Sequence, residues 1–339
     1  MDQRDLERPS MAVAAHPFDV NPSPLEWSQL TKMPEKRDAF AVDIYFREAW
    51  ADFVACFGAR TTEILSSLGL LTFKPDAIVG RRMRQTIDYL AEQGFEIVGV
   101  RDVEFSRLAS RELWRYNWNF ATLDRIHLST RMYGATNTLL LIVRDLRCTG
   151  HVPGAVRLSA LKGSAAAEKR APHHLRTRLR SPHRLINFVH VADEPADIVR
   201  ELAILLDTDG RHALLELLAA PADCTADALD AIDRLERGYP EHDLDFDASL
   251  ARRTTACALR PEQVRALQDA ANRGRKLRWD KLSAVLPPTA EPIGLWDFIC
   301  IGCWTLADER EGHPDLLPSV SPEDWAGAEV ELTASAASA

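Results

Sequence analysis

The chain has 339 residues, of which 46% are hydrophobic and 27% charged, with a net charge of −9. That balance describes a globular protein large enough for one large domain or two ordinary ones, and it excludes a disordered chain or a surface drawn to nucleic acid as a whole. Six dispersed cysteines, no apolar run at the N-terminus and no run of transmembrane length lead to the expectation of reduced thiols in a soluble, cytoplasmic protein with no membrane partner.

In chain order, residues 1 to about 35 hold Pro9, Pro17, Pro22, Pro24 and Pro34 and read as an extended lead-in arm. Phe40, Ile44, Trp50, Phe53, Val54 and Phe57, then Ile64 and Leu68, predict one or two amphipathic helices. Gly69 reads as a break before a strand, Leu70 to Phe73, ended by Pro75. Met83, Ile87 and Leu90 give helical spacing to Arg81–Gln93, closed by Gly94. Phe95 to Phe105 reads as a longer strand, and Arg107 to Tyr133 as helix carrying Trp114, Tyr116, Trp118 and Phe120. Thr138 to Val143 is apolar on both faces, as a central strand requires.

Residues 150–184 are rich in cations: Arg157, Lys162, Lys169, Arg170, Arg176, Arg178 and Arg180, with His173 and His174 among them. Such a run is usually a solvated loop, yet it lies just upstream of His190. Leu185, Ile186, Phe188 and Val189 read as a short buried strand with His190 at its end. Asp193 is the expected N-cap and Pro195 the start of a helix, along which Ile198, Leu202 and Leu205 recur and Glu201 rides. A lone histidine in such a place is commonly just satisfied by backbone. Ahead of a helix N-terminus it also suits phosphate chemistry: the unpaired N–H groups favour an anion, and neutral imidazole is a nucleophile near pH 7.

Beyond Leu206 the pattern is helical (Ala213 to Leu218, Ala226 to Leu235, Pro261 to Asn272), broken at Pro221, Pro240, Pro287, Pro288 and Pro292. Leu295 to Leu306 reads as a buried helix. It holds Cys300 and Cys303, a CxxC with no second pair to complete a zinc site and so two buried thiols. The tail Glu329 to Ala339 reads as frayed.

Two stretches are read together: Lys74-Pro75-Asp76, and Asn187-x-x-His190 followed by Asp193 and, eleven residues past the histidine, by Glu201. With the run Gly94-Phe95-Glu96-Ile97-Val98 they resemble the nucleoside diphosphate kinase family, over about residues 69–206. The resemblance implies an α+β fold, a ferredoxin-like βαββαβ antiparallel sheet of the nucleoside diphosphate kinase type. To this would be added N-terminal (1–68) and C-terminal (207–339) helical segments. It also implies that His190 takes the γ-phosphate of a nucleoside triphosphate and passes it to a nucleoside diphosphate or related acceptor. Glu201 would orient the imidazole, Lys74 would donate to phosphate and sugar, and Asn187 would bond the 3′-hydroxyl. Tyr116 or Phe120 would stack on the base; Arg157, with Arg176 or Arg178, would grip phosphate. Mg²⁺ would enter with ATP, held by phosphate oxygens rather than by a protein ligand set. Nucleotides are the implied partners, and a homo-oligomer is possible within such a family. The departures are Val191-Ala192 in place of Gly-Ser, and no Thr-Asn-Pro or Arg-Gly-Asp-Phe text between 150 and 184. They leave two alternatives: a specialised biosynthetic enzyme acting on a modified nucleotide or another acceptor, and a nucleotide-binding scaffold without turnover.

Overall fold

A computed structural model describes residues 21–148, 151–272, 274–310, 312–317 and 319–326. Three helices come first: α1 (Pro24–Leu30), α2 (Pro34–Phe40) and α3 (Ile44–Phe57), followed by the short α4 (Thr61–Ser67). The sheet then starts with β1 (Leu68–Phe73). Helices α5 (Pro75–Val79) and α6 (Met83–Glu92) lead to β2 (Phe95–Val103). Next, α7 (Arg107–Leu113) and α8 (Leu123–Tyr133) lead to β3 (Thr138–Asp145). After α9 (Gly154–Lys162) and α10 (Leu175–Arg178) the chain enters β4 (Val189–Val191) and turns into α11 (Pro195–Leu205). The helices α12 (Thr208–Ala219), α13 (Thr225–Gly238), α14 (Phe246–Ala256), α15 (Pro261–Asn272), α16 (Trp279–Val285) and α17 (Pro292–Thr305) follow.

The strands lie in the order β2-β3-β1-β4, every neighbouring pair antiparallel, which is the ferredoxin-like arrangement expected. β1 and β3 are central, so their residues are buried on both faces and the strands read as unbroken apolar runs. Side chains alternate across the sheet. Leu71, Phe73, Leu141, Val189 and Val191 enter one core, shared with α5, α6, α8 and the helices from α13 to α17. Leu70, Leu140, Ile142 and Val98 enter the other, shared with α1, α3, α11 and α12. Thr72 and His190 face each other across the β1–β4 pair.

Several expectations are corrected. The lead-in arm is helical from Pro24. Pro24 and Pro34 stand at first helical positions, where a missing N–H costs nothing, and Ser23 caps α1 with a reciprocal Glu26 bond. Gly69 is inside β1, packed so closely that a Cβ would lie 2.8 Å from Leu158. The stretch Arg107 to Tyr133 is helical as expected, in two helices with a short 3-10 turn between them. Leu185 and Ile186 precede β4 rather than form it, because the backbone at Phe188 turns through φ +69°. That turn is clamped: the Phe188 N–H donates to Asp76 Oδ2 (2.7 Å), and its carbonyl accepts from the Lys74 N–H (2.8 Å). The N-cap of α11 is Glu194, not Asp193. Buried α17 is as expected. Pro9, Pro17 and the tail from Glu329 lie outside the described residues. Among the described residues no helix is long and apolar enough to cross a membrane.

Candidate active site around His190

β4 sets His190 on the sheet face that α11 covers, and nearly two turns of that helix then bring Glu201 back over it. The imidazole Nε2 lies 2.9 Å from Glu201 Oε1. The carboxylate is an acceptor, so this contact puts the ring proton on Nε2 and the lone pair on Nδ1. Nδ1 carries no hydrogen bond to any described residue. Glu201 Oε2 is buried with no partner, so the carboxylate's one strong contact is with the imidazole. Trp114 packs against the ring at close to a right angle, centroids 5.4 Å apart at 85°.

Lys74 and Asn187 are also brought together. The Lys74 ammonium donates to Asn187 Oδ1 (2.8 Å) and to the Leu185 carbonyl (2.6 Å), with Asp76 at 3.7 Å. Asn187 Nδ2 in turn donates to the Arg184 carbonyl. Burial, opposed by Asp76, holds the Lys74 ammonium down at about 8. This pair does not line the His190 cavity. Lys74 lies 5.8 Å from the Tyr133 ring, Tyr133 stacks on Trp114 at 4.8 Å, and Trp114 meets His190, so aromatic rings link the two pairs.

The cations expected at the phosphates are placed elsewhere. Arg157 makes a two-pronged ion pair with Asp145 at the far end of β3 and lies over Phe95. Arg178 pairs with Glu92 on the surface. Arg176 comes nearest: it donates to the Gly163 and Val189 carbonyls (2.9 Å each), stitching α10 to β4 behind His190. Burial lowers its guanidinium to about 10. Tyr116 does line the cavity, yet its ring faces Phe40 and Arg200. Phe120 lies under Arg125, away from it.

What closes over His190 was not foreseen. Lys36 and Phe40 of α2, Asn117, Asp193, Asp197, Arg200 and Leu317 surround it, leaving about 50 Å³. That is room for one or two waters, whereas small-molecule pockets run to roughly 300–1,000 Å³. The closure is tied at Glu194, a fully buried carboxylate. It accepts from Thr31 Oγ1 (2.6 Å), the Lys32 N–H (3.0 Å), Lys36 (2.8 Å) and Trp325 Nε1 (3.1 Å). Lys36 also bonds Asp197 (2.6 Å), and these two carboxylates raise its ammonium against the opposing effect of burial. Asp197 is itself pushed up to about 6 by burial and by Asp193, Glu194 and Glu201. Asp193 is held by Ser159 and Lys162. Arg200 joins Asp43 at the start of α3. Spacing around His190 signals none of these contacts, and those made by Lys32, Lys36 and Asp43 join residues more than 150 positions apart.

No family profile matches the chain. A thioredoxin domain-containing protein 3 homolog of Heliocidaris crassispina is 26% identical over 149 residues, 44% of this chain. The chain spans 17% of that relative's length. Among solved structures, the nucleoside diphosphate kinase of Aquifex aeolicus is similar at 17% identity, covering 42% of this chain and 97% of its own, with a TM-score of 0.35. The halophilic enzyme of Halobacterium salinarum, solved with CDP, covers 49% of this chain and 97% of its own at 17% identity and TM-score 0.34. That of Pyrobaculum aerophilum covers 42% and 97% at 15% and 0.32. The likeness to these structures is one of fold, over part of the chain.

Proposed function

We propose that this chain is a phosphotransferase that works through a phosphohistidine at His190. The observation that carries the reading is the His190–Glu201 pair, with Nε2 engaged at 2.9 Å and Nδ1 carrying no bond. In the proposed step the Nδ1 lone pair attacks the γ-phosphorus of a nucleoside triphosphate. The bond from that phosphorus to the bridging oxygen breaks, and the diphosphate leaves with the electron pair. The ring becomes cationic, and Glu201, already accepting from Nε2, stabilises it. A second nucleoside diphosphate, or a related acceptor, then reverses the step. Magnesium enters as part of the nucleotide substrate and neutralises phosphate charge. Lys36 and Arg200, which line the cavity, are the cations best disposed to help once their carboxylate partners yield. A nucleotide needs far more room than 50 Å³, so α1–α2 and the segment around Leu317 must move away for turnover.

The same closure supports a second reading, a nucleotide-binding scaffold without turnover, since Arg157 and Arg178 are held by carboxylates and Arg176 by carbonyls. Initial rates of transfer from ATP to GDP separate the two. Parallel double-reciprocal lines, lost in His190→Ala, support the phosphohistidine route. No transfer by a parent that still binds ATP supports the scaffold.

The relative's printed name raises thiol chemistry, and the CxxC here does not support it. Cys300 and Cys303 lie mid-helix, both buried, and burial pushes their thiols well up, away from the reactive thiolate.

A further inference from the structure

A second cleft, sharing no lining residue with the His190 cavity, opens between α7, α8 and the start of α16 and has a volume of about 780 Å³. Arg107 and Arg111 come from α7, His127, Thr130 and Arg131 from α8, and Trp279 from α16; among the described residues no carboxylate lines it. Elsewhere in this acidic chain several arginines face acids, as in Arg157–Asp145, Arg200–Asp43, Arg211–Asp52 and Arg234–Asp102, and others face backbone carbonyls, as Arg81, Arg170 and Arg176 do. The side chains of Arg107, Arg111 and Arg131 have no ion pair or hydrogen bond to any described residue, and Arg111 Nε is buried without one. Three like charges in one cleft repel one another, and a buried N–H with no acceptor adds a cost. An anion in the cleft relieves both.

We infer that this cleft binds a small phosphorylated molecule carrying an aromatic ring. Guanidinium groups fork onto phosphate oxygens and are its preferred partners among side chains. The ring needs a flat apolar wall, and Trp279 supplies one, held edge-on by His127 and Phe298 at 5.5 Å each. The volume lies within the range of small-molecule sites. The cleft is independent of the reaction proposed at His190, and its occupancy stands or falls without it.

Isothermal titration with ADP and with inorganic pyrophosphate tests this in the parent, Arg107→Ala/Arg131→Ala, Trp279→Ala and His190→Ala. Both arginines are exposed, so a thermal melt like the parent's certifies the double variant's fold. The site predicts saturable ADP binding by the parent that His190→Ala retains. The arginine variant should weaken both probes by at least about tenfold, a change of about 1.4 kcal/mol. In Trp279→Ala the affinity for ADP should fall relative to that for pyrophosphate. No ADP binding by the parent at millimolar concentration overturns the inference. So does parent-like affinity in the arginine variant, loss in His190→Ala alone, or an unchanged ADP-to-pyrophosphate ratio in Trp279→Ala.

Discussion

Glu201 meets the His190 ring through one oxygen and leaves the other buried and unpaired. The full carboxylate charge is therefore available to the Nε2–H when the ring turns cationic. A hydrogen bond to a charged group contributes about 1.5–3 kcal/mol, so Glu201→Gln should slow phosphorylation of His190 by roughly 10–100-fold. Rapid-quench labelling measures this, and a parent-like rate would mean that Glu201 does not orient the ring. Lys74 offers a pH signature. Its ammonium is held at about 8, against 10.5 in the ordinary case, mainly by burial. Below pH 8 folded and unfolded chains both carry the proton, and the cost of the buried charge is felt in full. From about 8 to 10.5 the native chain has released a proton that the unfolded chain keeps, so stability should rise with pH across that window. Urea midpoints at pH 7.5 and 10 should show this rise in the parent and a flatter profile in Lys74→Met.

At the scale of elements, the Glu194 carboxylate ties the α1–α2 junction over the site, beside the apolar seat of Trp27, Leu30 and Phe40. Removing a partner from a buried ion pair costs about 3–5 kcal/mol because the other charge is left uncompensated. Glu194→Gln should therefore raise hydrogen exchange in residues 24–40 while leaving β1 and β3 protected; unchanged exchange there would mean that apolar packing alone seats the helices. The join between α9 and β1 is equally specific. A Cβ on Gly154 would lie 2.9 Å from the Ser67 carbonyl and 3.0 Å from that of Leu68, both backbone atoms that cannot swing away. Gly154→Ala should cost about 1–3 kcal/mol in denaturant unfolding. These contacts were not legible in the sequence. Pro24 and Pro34 look the same in a loop and at the first turn of a helix, and Lys36 meets Glu194 only through tertiary folding. The His190–Glu201 pair was expected from the resemblance, and the structure accommodates its eleven-residue spacing as one turn out of the strand and nearly two turns of helix. Lys74 and Asn187 were paired in advance by resemblance; that they meet each other, with Trp114 and Tyr133 between them and His190, was not. The basic run before His190 could be read as charge and not as geometry, since an arginine's partner is set by which carboxylate the fold brings to it, Asp145 for Arg157 and Glu92 for Arg178.

Across the whole molecule, the apolar core on one face of the sheet runs without a break into α13–α17. His242, Arg252 and Asp297 join the loop after α13 to α14 and α17 by buried and half-buried bonds. Residues 207–326 should thus unfold together with the sheet, in one transition seen alike by tryptophan fluorescence and far-ultraviolet circular dichroism. Two separated transitions would assign the C-terminal helices their own stability. Four strands were expected, the last of them placed too early in the chain, and their order in the sheet followed from the family resemblance alone; β1 and β3 stood out as continuous apolar runs, and Gly94 marks the turn between α6 and β2. The second arginine cleft was not, since its walls come from α7, α8 and α16, far apart in sequence.

The central claim is that His190 carries a phosphoryl group. Incubating the parent and His190→Ala with γ-phosphate-labelled ATP and magnesium, then testing the label for acid lability, addresses it directly. The account predicts an acid-labile label on the parent, absent from His190→Ala and chased by a nucleoside diphosphate. A parent that binds ATP but takes no label, or a label that survives in His190→Ala, would contradict it.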